Sequence, residues 1–435
     1  MSADRRLEQE LPRLLDDLYV GPMPAYRDYV LEQTARTRQR PAWSFVGGWI
    51  PMVDIARQPV PAPRLPWRAI GLGLALLALL LGLIAALAVG ARPHLPAPFG
   101  LARSGLVTYA SGGDIYTVDP VTGRSTAITS GPETDLNPRW SRDGTRVVFE
   151  REAYFGAGSN YLYVARSDGS HLTRVTPQPL PITSYDFSPD GKELLISVNP
   201  AGNTGLPGLV IAATDGSGMH QLDVGMPATN AAWRPPDGSE IMFMDRGNDS
   251  DGFGAIHLVS AQGGPVHTIL KDDGAAGRYR GHPEWSPDGS MISFGEWTDR
   301  NSVDVQTHII RADGSGDRVL PLPPGAVWQA PYGWSNDGTR LLVIRGYTGG
   351  GDKARPAAIP VDGSGFGTEI PYPGGMDVGS TSTWEWAPDD STILGTPWNT
   401  SGDLLGQLLL DPVHGTSRLV PWSSDSQPSW QRLAP

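Results

Sequence analysis

Seven times along this 435-residue chain an aromatic residue leads into a short turn and then an apolar strand. The copies begin at Trp140, Phe187, Trp233, Trp285, Trp334, Trp386 and Trp430, and most continue as Ser-Pro-Asp-Gly or a near variant. The steps between them are 47, 46, 52, 49, 52 and 44 residues. A period of that length marks stacked supersecondary units, and each has room for one four-stranded blade. A second turn series, at Gly123, Gly169, Gly216, Gly264, Gly314, Gly363 and Gly415, has the same number of members. Asp-Gly is a strong hairpin signal because the turn needs positive backbone angles that glycine adopts without strain. Two independent series predict an all-β, seven-bladed β-propeller over residues 101–435, with six or eight blades if one repeat is misread.

The ends of this region complement each other. Gly105–Ser130 carries the last three strands of a blade with no aromatic-turn strand before them, and Gln427–Gln431 carries that strand with nothing after it. Joining them closes the ring with N- and C-terminal strands in one blade, which removes exposed edges. The 54 Gly, 41 Pro and 18% charged residues suit many short strands joined by tight turns. The absence of cysteine excludes disulfides, thiolate metal sites and cysteine nucleophiles.

Residues 69–91 form 23 positions without a charge, enough for a transmembrane helix. Residues 1–68 hold ten Arg and no Lys, whereas Arg92 and Arg103 alone stand close on the other side. The positive-inside rule therefore predicts a single-pass protein of the cell membrane, N-terminus cytoplasmic and propeller extracytoplasmic. Within residues 1–66, segments 4–20 and 24–40 read as two short helices that bury little between them. They either meet a cytoplasmic protein partner or form a solvated, partly disordered tail. Residues 92–100 read as a Pro-rich linker. From residue 69 onward the net charge is −14, which disfavours nucleic acid as a partner.

Trp285-Ser-Pro-Asp-Gly289, Tyr161-Leu-Tyr-Val164, Ile115-Tyr-Thr-Val118 and Leu172-Thr173 together resemble the TolB-like propeller family. That resemblance covers residues 101–435 and implies a propeller serving as a binding platform, a part of envelope machinery or a gate of a peptidase. Seven blades and a membrane anchor depart from the family's six-bladed periplasmic member. The plan of cytoplasmic segment, one span and outer domain also resembles single-pass anti-sigma factors, although without cysteine their zinc-type pattern is absent.

The repeated acids Asp143, Asp190, Asp237, Asp288, Asp337 and Asp389 fit turn positions whose carboxylates accept loop amides. The repeated tryptophans fit wedges between blades. No Gly-x-Ser-x-Gly elbow occurs, and the eight histidines lack metal-ligand spacing, so neither a metal nor a cofactor is expected. The calcium-like fragment 245–252 lacks its first Asp and closing Glu and reads as a polar loop. Residues just before each aromatic should converge on the propeller axis: Asp135, Arg139, Asp186, Asn230, Arg280, His282, Glu284, Gln329, Glu385 and Gln427. The expected function is a non-catalytic extracytoplasmic module that binds a protein or small ligand at this channel mouth. The alternative is a transmembrane regulator of anti-sigma type, with an outer sensor and residues 1–66 holding a partner.

Overall fold

The repeated aromatics lie on the innermost strands of seven four-stranded antiparallel sheets. These strands are β4 (Asp135–Trp140), β8 (Ile182–Phe187), β12 (Ala228–Trp233), β16 (Tyr279–Trp285), β20 (Ala326–Trp334), β24 (Thr383–Trp386) and β28 (Ser429–Leu433). The computed structural model describes residues 97–434 apart from 154–157, 199–207, 246–253, 272–277, 300–303, 348–353, 374–375, 377–382, 400 and 402, together with residues 73, 74, 77 and 78. Ala91–Pro435 forms one compact unit.

In the first complete blade, β4 is followed by β5 (Arg146–Glu152), β6 (Asn160–Arg166) and β7 (Thr173–Arg174), paired in chain order. The same order recurs around the ring. The closing blade joins the two ends of the propeller: β28 pairs with β1 (Arg103–Ser111), which pairs with β2 (Asp114–Val118) and β3 (Ser125–Ala127). Val107 stands opposite Trp430 in that seam. The seven-bladed, terminally closed propeller expected from the repeats is what the chain forms.

The apolar core is divided among the blade interfaces. One cluster combines Leu195, Leu209 and Ile211 of one blade with Trp233, Ile241 and Phe243 of the next. Another combines Val107 and Val118 of the closing blade with Leu394 and Leu409 of its neighbour. All six tryptophans of the series are at most 8% exposed and Phe187 is 1% exposed, so they are packed wedges rather than open stacking platforms. The indole Nε1 of Trp334 donates to the carbonyl of Glu284 at 3.2 Å, and Trp386 donates likewise to Gly333 at 3.2 Å. Each indole thus reaches the inner strand of the preceding blade.

The repeated acids close their own turns. Asp143 accepts the Thr145 amide at 3.0 Å and the Ser141 hydroxyl at 2.6 Å, and Asp288 repeats the pattern with Ser290 at 3.0 Å and Ser286 at 2.6 Å. Gly289, at φ +67°, has no alternative here: a Cβ would lie 2.0 Å from the carbonyl oxygen of Pro235 in the preceding blade. The turn therefore fixes the hairpin and the approach of adjacent blades together.

Residues 1–66 and nearly all of the 69–91 stretch lie outside the described residues; residues 73, 74, 77 and 78 are helical. Among the described residues no helix is long and apolar enough to cross a membrane. Residues 246–253 of the calcium-like fragment also lie outside them, while Asp245 accepts the Ala255 amide at 2.6 Å.

Candidate functional site

Three of the inner strands approach the axis through the same irregularity. In β4 the register shifts between Leu136 and Arg139, in β12 between Thr229 and Ala232, and in β16 between Gly281 and Glu284. Three steps on the inner strand oppose two on its partner, which is a one-residue bulge. The inserted positions include Asn137, Asn230 and His282, whose φ values are +52°, +50° and +53°. Asn tolerates this left-handed region better than most residues.

The bulge sorts the ten residues singled out in the sequence. Arg139, Asp186, His282, Glu284, Glu385 and Gln427 line one central cavity of about 620 Å³. Asp135, Arg280 and Gln329 do not. Each lies five residues before its aromatic, and a regular strand would set it on the same face as the residue just before that aromatic. The extra residue reverses the parity, so these three pair with the second strand of their own blade. Asp135 accepts from Arg151 at 2.7 Å, Arg280 donates to Glu296 at 3.0 Å, and Gln329 accepts from Arg345 at 2.8 Å. Asn230 is also outside the cavity, with its amide against the sulfur of Met244 at 3.8 Å.

Two charged residues of the cavity escape the sequence reading: Arg142 and Arg432, each two positions after its aromatic. Four of the seven repeats place Pro there, so the departures to Arg142, Asn336 and Arg432 are the signal in the sequence. Arg142 donates to Asp186 at 2.6 Å, Arg139 to Gln427 at 3.2 Å, and Arg432 to Asn336 at 2.7 Å. Phe99 and Gly100, just before β1, complete the lining.

The site thus holds three arginines and three carboxyls within a ring of protein. Enclosure pushes the Glu284 carboxyl up to about 7, against the pull of Arg139 and Arg142. The Glu385 carboxyl is likewise pushed up to about 7 by burial, although it accepts the Trp430 amide at 3.2 Å. Burial lowers the imidazole of His282, which favours its neutral form. Near neutral pH the two glutamates can each give or take a proton, the property an acid–base site requires.

That enclosure has a measurable consequence. A carboxyl whose folded value lies above its unfolded one costs stability as pH rises from about 4.5 to about 7, and the cost stays constant above that. Glu284→Gln and Glu385→Gln should therefore melt like the parent near pH 4.5 and above it at pH 8. Channel water reaches both side chains, so the gain is expected to be about 1 kcal/mol each rather than the full unscreened value. Thermal melts at the two pH values check this; an equal effect at both would show that the carboxyls titrate normally.

No family model matches this chain. A curated relative, the uncharacterized peptidase YuxL of Bacillus subtilis, is 22% identical over 183 residues, covering 42% of this chain and 24% of that protein. This chain thus matches about a quarter of that relative's length. Among solved structures, an oligogalacturonate lyase from Vibrio parahaemolyticus superposes with a TM-score of 0.53 at 13% identity, over 73% of this chain and 86% of the lyase. An oligogalacturonate lyase in complex with manganese gives 0.50 at 16%, over 69% and 82%. TolB from Acinetobacter baumannii gives 0.43 at 16%, over 78% and 68%. The lyase likenesses show a shared propeller fold.

These findings correct the expectation that the chain is not an enzyme. The relative found by sequence is a peptidase, and propellers of this shape occur in lyases. The lack of a serine elbow excluded one kind of hydrolase and not catalysis itself.

Proposed function

We propose that the central channel is a ligand-binding site with acid–base capacity, in a propeller that residues 69–91 tether to the membrane. The observation that carries this reading is the convergence of Arg139, Arg142, Arg432, Asp186, Glu284 and Glu385 on one cavity of about 620 Å³. Collecting charges in an enclosed space, two of them with carboxyls displaced to about 7, works against stability. A fold that needed only a filled axis would place apolar or small residues there. The arginines supply donors for carbonyl or carboxylate oxygens, and the glutamates supply proton exchange. The peptidase relative and the lyase neighbours support testing turnover as well as binding. The tether rests on the uncharged 23-residue stretch and its arginine-rich N-terminal flank.

The test is calorimetric titration of the full chain in detergent with tetragalacturonate, cellotetraose and short blocked peptides, followed by product analysis. At least one acidic saccharide or peptide should bind, and Arg139→Gln should weaken it by about tenfold or more. If no probe binds more tightly than about 1 mM, or if Arg139→Gln changes nothing, the channel is not the site.

A further inference from the structure

We infer that the ligand of the channel mouth is an extended peptide carrying an aromatic side chain, and that the chain's own residues 97–100 occupy that subsite in its absence. This rests on the channel being a binding site. The segment Ala97-Pro98-Phe99-Gly100 reaches the cavity just before β1 begins, and two arginines hold it. Arg432 donates through Nη2 to the carbonyl of Ala97 at 3.3 Å and also to that of Gly100. The guanidinium carbon of Arg142 lies 4.8 Å from the centroid of the Phe99 ring.

Both arginines are positioned independently of the segment they hold. Arg142 is fixed by Asp186 and Arg432 by Asn336, at 2.6 and 2.7 Å. Each leaves one remaining surface for a guest: a pair of N–H donors for backbone carbonyls in one case, a flat cationic face for an aromatic ring in the other. Repeated carbonyls beside a ring are peptide chemistry. A galacturonate oligomer offers carboxylates and hydroxyls but has no aromatic face to place under Arg142. The Nε–H of Arg432 is buried without an acceptor among the described residues.

The segment is also built to leave. Phe99 is only half-buried, and Gly100 has φ +83° with open space where a Cβ would point. Beyond it the Ala102 amide donates to the Pro388 carbonyl at 2.9 Å, which anchors the entry into β1 whether or not the preceding residues stay seated. A tethered segment competes at an effective concentration on the order of millimolar, so a free peptide must outcompete it.

The experiment titrates the full chain in detergent with the blocked peptide acetyl-Ala-Pro-Phe-Gly-amide. Phe99→Ala should bind it about tenfold more tightly than the parent, and Phe99→Leu, which keeps bulk without a ring, should fall between them. Adding Arg142→Gln to Phe99→Ala should cancel the gain, with thermal melts confirming that each variant is folded. Equal binding by the parent and both Phe99 variants would overturn the competition. Tetragalacturonate binding without peptide binding would overturn the peptide assignment while leaving the channel as a site. Binding of neither would remove both.

Discussion

A chain ending at Ser426 should not form a cooperative propeller. It lacks β28, and with it the inner strand of the closing blade, whose other three strands come from the start of the ring. The loss would expose the edge of β1, uncover the cluster around Val107, Leu394 and Trp422, and remove Trp430, which is 5% exposed. An open ring presents unpaired backbone at β1 and an unfilled interface on the neighbouring blade, both prone to association. The expected result is loss of near-ultraviolet circular dichroism and of a sharp thermal transition, with concentration-dependent aggregation. Trp430→Ala keeps the strand and should cost about 3–5 kcal/mol, the usual range for truncating a buried aromatic. A truncated chain that melts within a few degrees of the parent would mean that the seam contributes little and that six blades suffice.

This closure is legible in the sequence because it follows from counting. An inner strand missing at one end and present at the other leaves one arrangement that satisfies both. The turns were legible for a related reason: Ser-x-Asp-Gly specifies a hairpin locally, and the Asp143 and Asp288 bonds stay within their own turns. The channel was legible only in part. Glu284 and Glu385, directly before their aromatics, were found because one step along a strand does not cross the bulge. Asp135, Arg280 and Gln329 were misplaced because five steps do cross it, and nothing in a single repeat announces an inserted residue. A signal did exist at longer range. Each of the three faces a partner of complementary character 16 positions later, at Arg151, Glu296 and Arg345. A hairpin of constant length puts such pairs opposite each other, and the alternation of faces takes them away from the axis. Arg142 was hidden differently, inside a turn read only as a turn, and Arg432 lies on β28 beyond the aromatic where the last, truncated repeat ends. Phe99 lay in a linker with no periodicity to place it.

The third of those pairs yields the other large effect. Arg345 is 1% exposed and lies directly across from Gln329, which is fully buried. Its Nε donates to Gln329 Oε1 at 2.8 Å and its Nη2 to the carbonyl of Phe366 at 2.7 Å, while Nη1 lies 3.6 Å from Glu369. Burial lowers its readiness to hold the proton, and Glu369 counters that. Arg345→Ala would leave the Gln329 and Phe366 oxygens buried without donors, remove a countercharge from Glu369 and open a cavity. Breaking a buried pair from one side typically costs about 3–5 kcal/mol, and that is the loss expected in denaturant unfolding. Replacing both partners behaves differently. Gln329→Leu together with Arg345→Met removes the charge and its main acceptor and keeps apolar volume, so much of the loss should return. The double-mutant cycle reads the difference directly. If the two single changes add without coupling, the pair is not a unit, and these residues five positions before the aromatic do not act as the blade's internal clasp. If they couple by more than about 1 kcal/mol while Arg139→Gln on β4 leaves stability nearly unchanged, then the bulged inner strands carry two separate duties. Their first halves lock the blades, and their second halves furnish the channel.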